Sequence, residues 1–506
     1  MIAFLVIVGV IVAALGVMAV RDLTQTSHTL RRNFPVIARL RYLLEEVGPE
    51  LRQYIVTGND EERPFSRDQR RWIYSSAKGQ NSSFGFGTDN DVEHGQGNVY
   101  IKHRTFAVEA VSSHDPGDQL PAGKVLGRAR GRAKAFRPNS VVNVSGMSFG
   151  ALSSAAITAL NRGAADAGAL HNTGEGGVST YHRNGAELIW QIGTGYFGCR
   201  DEHGRFDLER LKAVVASAPV KALEIKLSQG AKPGLGGLLP GPKVTAEIAE
   251  IRGIPVGQTC HSPSRHTAFS DVDSMLDFVE LLASETGLPV GIKSAVGETD
   301  FWQELARQMQ DRQRGIDFIT IDGSEGGTGA APLIFTDAVS LPFRMGFSRV
   351  YGTFAEAGLT DDVVFIGSAK LGLVDNAMVA FALGADMVNV GREAMLSIGC
   401  IQAQKCHTDR CPTGIATQNP RFTRGLDPAD KAARAASYLR AVRRDLLKVA
   451  GAVGVPHPSL VTTEDIEILN GDYEARTLGT IYGYKPGWGQ PSPALRDEIV
   501  ALMSRA

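Results

Sequence analysis

Eight short apolar runs, rich in Val and Ile, recur along residues 141–390. Each is followed by glycines or polar residues and then by a stretch with helical spacing. They are Val141-Val-Asn-Val144, Ala169-Leu-His-Asn172, Ala222-Leu-Glu-Ile225, Ile254-Pro-Val-Gly257, Pro289-Val-Gly-Ile292, Asp317-Phe-Ile-Thr-Ile321, Val363-Val-Phe-Ile366 and Asp386-Met-Val-Asn-Val390. Strands that alternate with helices predict βαβ units and a parallel sheet. Eight units over roughly 260 residues fit a closed (β/α)8 TIM barrel better than an open doubly wound sheet. No G-x-G-x-x-G opens a helix after an early strand, which weakens the dinucleotide-binding alternative further.

In such a barrel the chemistry sits where the strands end. After the first run comes Ser145-Gly-Met-Ser-Phe-Gly-Ala-Leu-Ser153, whose small residues let backbone N–H groups face a ring system; Met147 and Ser148 are candidate cofactor contacts. After the second comes Asn172-Thr-Gly-Glu-Gly-Gly177, with Thr173 toward the cofactor and Glu175 as a lone carboxylate that is either catalytic or a solvated loop charge. The third runs into Lys226, Gln229, Lys232 and a glycine-rich stretch to Gly241, which suits a mobile loop handling an anionic substrate. Lys293 finishes the fifth run; a lysine there is costly unless it meets a negative group or reaches solvent. The sixth ends in Asp322-Gly-Ser-Glu-Gly-Gly-Thr-Gly-Ala-Ala-Pro332, with Asp322, Gly323 and Gly327 as candidate cofactor contacts. Gly367-Ser368 and Gly391-Arg392 follow the last two runs, the usual place for a barrel phosphate site.

Three of the five cysteines fall into Cys400-x5-Cys406-x4-Cys411-Pro412. The spacing is unlike the paired C-x2-C hooks of structural zinc, and a proline after the last cysteine is a habit of iron–sulfur ligand runs. Three ligands favour a three-iron cluster; a three-thiolate zinc site completed by an outside ligand such as His407 is the alternative. Cys199 and Cys260 read as buried small hydrophobes, and His261, His266 and His407 as surface or supporting groups. The five cysteines give no disulfide framework, as in a reducing compartment.

The first twenty residues are apolar throughout, long enough for a membrane-spanning helix. Arg21, Arg31, Arg32, Arg39 and Arg41 follow, so the positive-inside rule puts the body in the cytoplasm. A removed signal peptide and a buried core helix are the weaker readings. Residues 21–60 are expected to form an amphipathic stalk, with Leu40, Leu43, Leu44, Val47 and Leu51 at helical spacing. Residues 62–110, including Ser83-Phe-Gly-Phe-Gly-Thr88, read as an irregular wrap with short strands. The barrel is expected over 111–425 and a helical segment over 426–506. A formal charge of −1, from 53 Lys+Arg against 54 Asp+Glu, provides no basic field for nucleic acid.

The motifs Ser145-Gly-Met-Ser-Phe-Gly-Ala-Leu-Ser, Asn172-Thr-Gly-Glu-Gly-Gly, Gln229-Gly-Ala-Lys-Pro-Gly, Asp322-Gly-Ser-Glu-Gly-Gly-Thr-Gly-Ala and Cys400-x5-Cys406-x4-Cys411-Pro-Thr-Gly-Ile-Ala-Thr-Gln418 together resemble the FMN-binding synthase domain of glutamate synthases. The resemblance implies an FMN-bearing barrel with a 3Fe-4S cluster on Cys400, Cys406 and Cys411. It also implies an oxidoreductase of the CH–NH2 class that aminates 2-oxoglutarate reductively to L-glutamate. By position, Lys293 would face the flavin, Gly367, Ser368, Gly391 and Arg392 its phosphate, and Glu175, Lys226, Gln229 and Lys232 the substrate. The chain departs from full-length members in having no N-terminal glutaminase domain, so the ammonia would come from a separate glutaminase or another source. It also carries Leu235 where a glutamate is usual, and Ser262-Pro-Ser-Arg-His-Thr-Ala-Phe269 where a proline- and histidine-rich segment is usual.

The expected chemistry is hydride delivery from FMN to an imine, with Glu175 supplying or accepting a proton. A one-electron donor such as ferredoxin or a membrane-associated partner is expected, because no pyridine-nucleotide motif is present. Two other readings stand beside it: an FMN/Fe-S oxidoreductase for a different 2-oxo or 2-hydroxy acid, and a membrane-tethered electron-transfer subunit without substrate chemistry.

Overall fold

The computed structural model describes residues 1–80, 87–108, 119–470 and 474–505. Most of the Ser83–Thr88 motif, and the expected boundary near residue 110, lie outside these. The chain divides into two compact units, Met1–Gln69 and Arg70–Ala506.

In the first unit, helix Ile2–Thr24 is apolar enough and long enough to cross a membrane, and its most apolar window has no buried residue. Helices Thr29–Asn33 and Ile37–Leu51 follow, continued by a wider turn over Arg52–Val56. Asp22 is buried and accepts two hydrogen bonds from the Arg39 guanidinium, at 2.7 and 2.9 Å. Leu40, Leu43, Leu44, Val47 and Leu51 do lie in a helix, and all are exposed.

The second unit contains a closed eight-stranded parallel barrel. Its strands are β1 (Val142–Val144), β2 (His171–Asn172), β3 (Leu188–Ile192), β4 (Val220–Lys226), β5 (Val290–Ser294), β6 (Phe318–Asp322), β7 (Val364–Ser368) and β8 (Met387–Val390). Strands β1 and β8 pair in register, Val388 opposite Val142, which closes the cylinder. Seven of the eight expected strands are present. Ile254-Pro-Val-Gly257 is instead a turn after helix Ala246–Arg252, and the strand it was taken for is Leu188-Ile-Trp-Gln-Ile192. The run ending at Lys226 is therefore the fourth strand, not the third, and those ending at Lys293, Asp322, Ser368 and Val390 keep their numbers. Pro255 has no N–H for an interior ladder, so a central strand there is disfavoured physically.

The core explains the closure. Ala222, Phe318, Val364, Ile366 and Met387 meet inside the cylinder, and Ala122 and Leu126, on a hairpin before β1, complete the cluster. The missing side chain of Gly291 makes room for the Phe318 ring on the neighbouring strand. At the opposite end from the site, buried Lys124 pairs with Asp386 at 2.9 Å and Arg132 with Asp317 at 3.0 Å. Helices dock closely outside: a Cβ on Gly163 would lie 2.6 Å from the Ala435 Cβ of the long helix Pro428–Val453. The segment from residue 426 is not wholly helical. Its strands Ile466–Asn470 and Glu474–Thr477 form a three-stranded antiparallel sheet with Val99–Ile101.

Candidate active site

At the carboxyl ends of the strands, two charged groups of opposite composition stand side by side. In the first, Lys226 ends β4, donating to Gln229 Oε1 at 3.1 Å and pairing with Glu175 Oε1 at 2.9 Å. Glu175 is thus not a solvated loop charge. Burial would raise its pKa, but Lys226 and then Lys232 outweigh that and hold it at about 2. It is anionic at neutral pH and, in this arrangement, is no proton donor. Lys232 is buried and donates to Gly236 O at 2.8 Å. Burial lowers its pKa to about 8, against the favourable pull of Glu175.

In the second group, Lys293 at the end of β5 lies 3.3 Å from Asp322 Oδ2 at the end of β6. They are 7 % and 5 % exposed, so the lysine does not reach solvent. Burial opposes its charge, but Asp322 and Glu224 raise its pKa above the ordinary lysine value. The two groups are tied by Gly230, whose N–H donates to Asp322 Oδ2 at 3.0 Å.

Beneath them lies a carboxylate that sequence reasoning did not single out. Glu224, wholly buried, accepts from Asn172 at 2.8 Å, Gln191 at 2.7 Å and Thr320 at 2.6 Å, which come from β2, β3 and β6. The only sequence signal was an acid inside an apolar strand. Arg252 was also missed. It is buried, with Nη2 donating to Phe149 O at 3.1 Å and its guanidinium 5.1 Å from the Phe197 ring. Its Nε has no partner among the described residues, and its charge lowers the Glu175 pKa. His266 is buried behind Lys226: Nε2 bonds Lys226 O at 2.9 Å and Nδ1 the Tyr196 hydroxyl at 3.1 Å. Cys199 and Cys260 are buried.

The proposed cofactor contacts fall into three places. Met147 N donates to Asn172 O at 3.1 Å, and a Cβ on Gly174, next to Thr173, would lie 2.8 Å from Ser148 N. The loops after β1 and β2 therefore pack backbone to backbone, which only a glycine at 174 allows. Gly391 adjoins the same patch, with only Ser145 and Met147 carbons near its absent Cβ, at 3.7 and 3.9 Å. In the second place, Gly323 N donates to Ser368 O at 3.0 Å. Arg392 donates to Glu325 O, and the absent Cβ of Gly327 faces Arg392 Cδ at 2.9 Å. Gly367 stands apart, because Leu371 and Phe343 fill the space its side chain would occupy.

The cysteine run lies against the loop after β6: a Cβ on Gly329 would be 3.0 Å from the Cys406 carbonyl. Gln402 N approaches Cys400 Sγ at 3.4 Å, and Cys411 Sγ is 3.4 Å from Thr413 Oγ1. Among the described residues no three Cys, His, Asp or Glu side chains converge on a single-ion position. The three thiols lie near enough for Cys406 and Cys411 to act electrostatically on Cys400. A cluster in which each iron takes its own thiolate accepts such a donor set.

Residues 123–456 match the family model described as the conserved region in glutamate synthase. The chain belongs to the glutamate synthase family. It is similar to the glutamate synthase large subunit-like protein YerD of Bacillus subtilis, with 37% identity covering 91% of this chain and 94% of that protein. The archaeal glutamate synthase (NADPH) of Methanocaldococcus jannaschii is 34% identical over 66% of this chain and 63% of its own length. The archaeal-type enzyme of Thermotoga maritima is 35% identical over 67% and 64%. The chain thus spans under two thirds of the latter two. Family membership makes it a glutamate synthase-like oxidoreductase. The matched region takes in every strand end and the cysteine run.

The two departures from full-length members form one element. Leu238 pairs with His261 and Leu239 with Cys260, so the loop carrying Leu235 and the segment beginning at Ser262 are joined by a short antiparallel ladder, a long hairpin whose connection holds helix Ala246–Arg252. A Cβ on Gly237, in that hairpin, would lie 3.0 Å from Glu175 Oε1. The departures therefore border the charged group itself.

Proposed function

We propose that this chain aminates a 2-oxoacid reductively, 2-oxoglutarate to L-glutamate, with ammonia supplied from elsewhere. The supporting observation is the Glu175–Lys226–Gln229–Lys232 group set against Lys293–Asp322 at one barrel mouth. Two buried ammonium groups beside backbone without side chains suit a dianionic substrate stacked near a flavin.

The residues fit FMN: the space at Gly391, at the end of β8, stays open beside Ser145 and Met147, and Lys293 gives a fixed positive charge. Met147, Ser148 and Thr173 would flank the ring, with Asp322, Gly323, Gly327, Ser368 and Arg392 toward the phosphate side. Gly367 would shape the β7 end only indirectly. Three neighbouring thiols, Cys400, Cys406 and Cys411, fit a 3Fe-4S cluster. FMN supplies hydride chemistry and the cluster single-electron transfer.

The chain's own groups do the rest. Lys226 and Lys232 hold the substrate carboxylates, and Gln229 orients Lys226. Glu175, held anionic, pairs with Lys226 and favours an iminium over an imine. Lys232, near pH 8, is the group able to exchange a proton at physiological pH. Arg252 and His266 fix this group from behind. Helix Ile2–Thr24 serves as a membrane anchor with the body in the cytoplasm. The electron donor is a one-electron carrier such as ferredoxin, and a separate glutaminase or free ammonium provides nitrogen.

The decisive experiment is anaerobic. Reduced protein mixed with 2-oxoglutarate and ammonium should form glutamate with flavin reoxidation; neither product nor reoxidation would sink the reading. The Lys232 pKa gives a further expectation. As pH rises through about 8 Lys232 loses its charge, so KM for the oxoacid should climb. In Lys232→Arg, KM should stay flat between pH 7 and 9, and a rise matching wild type would assign that limb elsewhere.

A second reading has its own support. The hairpin bearing Leu235 and Ser262–Phe269 borders Glu175, and Leu235 is 39 % exposed where a carboxylate is usual. A related 2-oxo or 2-hydroxy acid with a less polar tail would suit it, and a turnover series over oxoacid side chains separates the two.

A further inference from the structure

Lys243 is a buried cation that the chemistry above leaves unused. It ends the turn Gly241–Lys243, directly after the glycine-rich substrate loop, and is 3 % exposed. Its ammonium donates to the carbonyls of Cys406 and Ala416, each at 2.9 Å, and reaches Ala151 O at 3.5 Å. Ala416 lies in the segment whose amides bond the Cys411 sulfur. One side chain thus ties three segments: the substrate loop, the loop after β1 and both ends of the Cys406–Cys411 stretch.

Those carbonyls can take the three donors of the ammonium but supply no net negative charge. A charge at that depth is costly unless a negative group offsets it. No carboxylate is within ion-pair distance of Lys243 among the described residues; Asp409 favours its charge from farther off, and the Cys406 and Cys411 sulfurs would add to that as thiolates. Charges interact strongly in such a setting. Asp409 offsets part of that cost, and a cluster on those two cysteines would offset the rest at closer range.

Resting on the cluster proposed above, we infer that Lys243 is a positioning residue for it. It locks the cysteine loop to the substrate loop, and its charge makes the cluster easier to reduce. Reduction takes one electron from an external one-electron donor and makes or breaks no bond, so it adds one negative charge beside Lys243. A fixed positive charge favours that product over the oxidised form.

The test compares full-length Lys243→Gln, which keeps a donor and loses the charge, with Lys243→Arg, which keeps the charge. In a dithionite titration followed by electron paramagnetic resonance, the reduced-to-oxidised ratio at fixed potential should fall about tenfold in Lys243→Gln. It should return toward wild type in Lys243→Arg. An unchanged ratio at full iron content overturns the charge effect. If Lys243→Gln loses its iron, alkylation of iron-free proteins decides the tie: in Lys243→Met, which has neither donor nor charge, Cys406 should react about tenfold faster than in wild type. Equal rates overturn the tie. Wild-type protein without iron or signal would instead sink the cluster reading, and the alkylation comparison would still report on the tie.

Discussion

Lys293→Met is expected to destabilise the barrel by about 3–5 kcal/mol and to abolish turnover. Methionine nearly matches lysine in length, so the loss would not come from a cavity. It would come from Asp322, 5 % exposed, left without its cation at 3.3 Å, and from Glu224, whose three hydrogen bonds do not neutralise it. The double variant Lys293→Met/Asp322→Asn removes both ends of the pair. It should regain much of the stability while remaining inactive, because the charge facing the reaction is still missing. Thermal unfolding midpoints and steady-state rates of both variants check this. A single variant as stable as wild type would mean that the pair is not what holds β5 against β6.

Gly230→Ala is the second large effect. A Cβ there would collide with the Gly323 carbonyl oxygen and approach Asp322 O at 2.9 Å. Both obstacles are backbone, so no side-chain rotation relieves the clash. The loops after β4 and β6 must separate, which breaks the Gly230 N–H to Asp322 bond at 3.0 Å. Overpacking of this kind costs about 1–3 kcal/mol. The displacement of Gln229 and Lys232 from Lys293 should lower kcat/KM by about a hundredfold or more. Gly297→Ala, in the loop after β5, is the control. Nothing lies within 4 Å of its absent Cβ, and it should behave as wild type. Near-normal activity in Gly230→Ala would show that the two loops work independently.

The barrel was legible in the sequence because seven strands are short Val- and Ile-rich runs bounded by turn residues. The third strand was missed for a physical reason. Between β2 and β3 the connection holds no α-helix, only the short turn Thr180–His182. The strand–helix alternation that identified the others therefore skips Leu188–Ile192. The run at Ile254 supplied a plausible eighth strand only because it follows helix Ala246–Arg252. Site residues on glycine-rich loops were equally legible, since Lys226, Gln229 and Lys232 share one loop. Residues that act across the fold were not. Glu224 draws partners from three other strands, and Arg252 and Lys243 reach loops about a hundred or more residues away. Spacing along a chain carries no record of such contacts. Glu175 was legible as a candidate, but its ionised state depends on Lys226 and Lys232 folding beside it.

The small antiparallel sheet outside the barrel has a consequence for how the protein is made. Lys102, just beyond strand Val99–Ile101, bonds Glu467 across a separation of 365 residues. A ribosome adding about 5–20 residues per second needs roughly 20–70 s to cover that distance. Through that interval the early strand has no partner, whereas each barrel strand has its next neighbour in the sheet as the next barrel strand in the sequence. The sheet is thus a late seal that forms only after residue 470 has been synthesised. Chains halted between the barrel and that point would hold a closed barrel but lack this sheet.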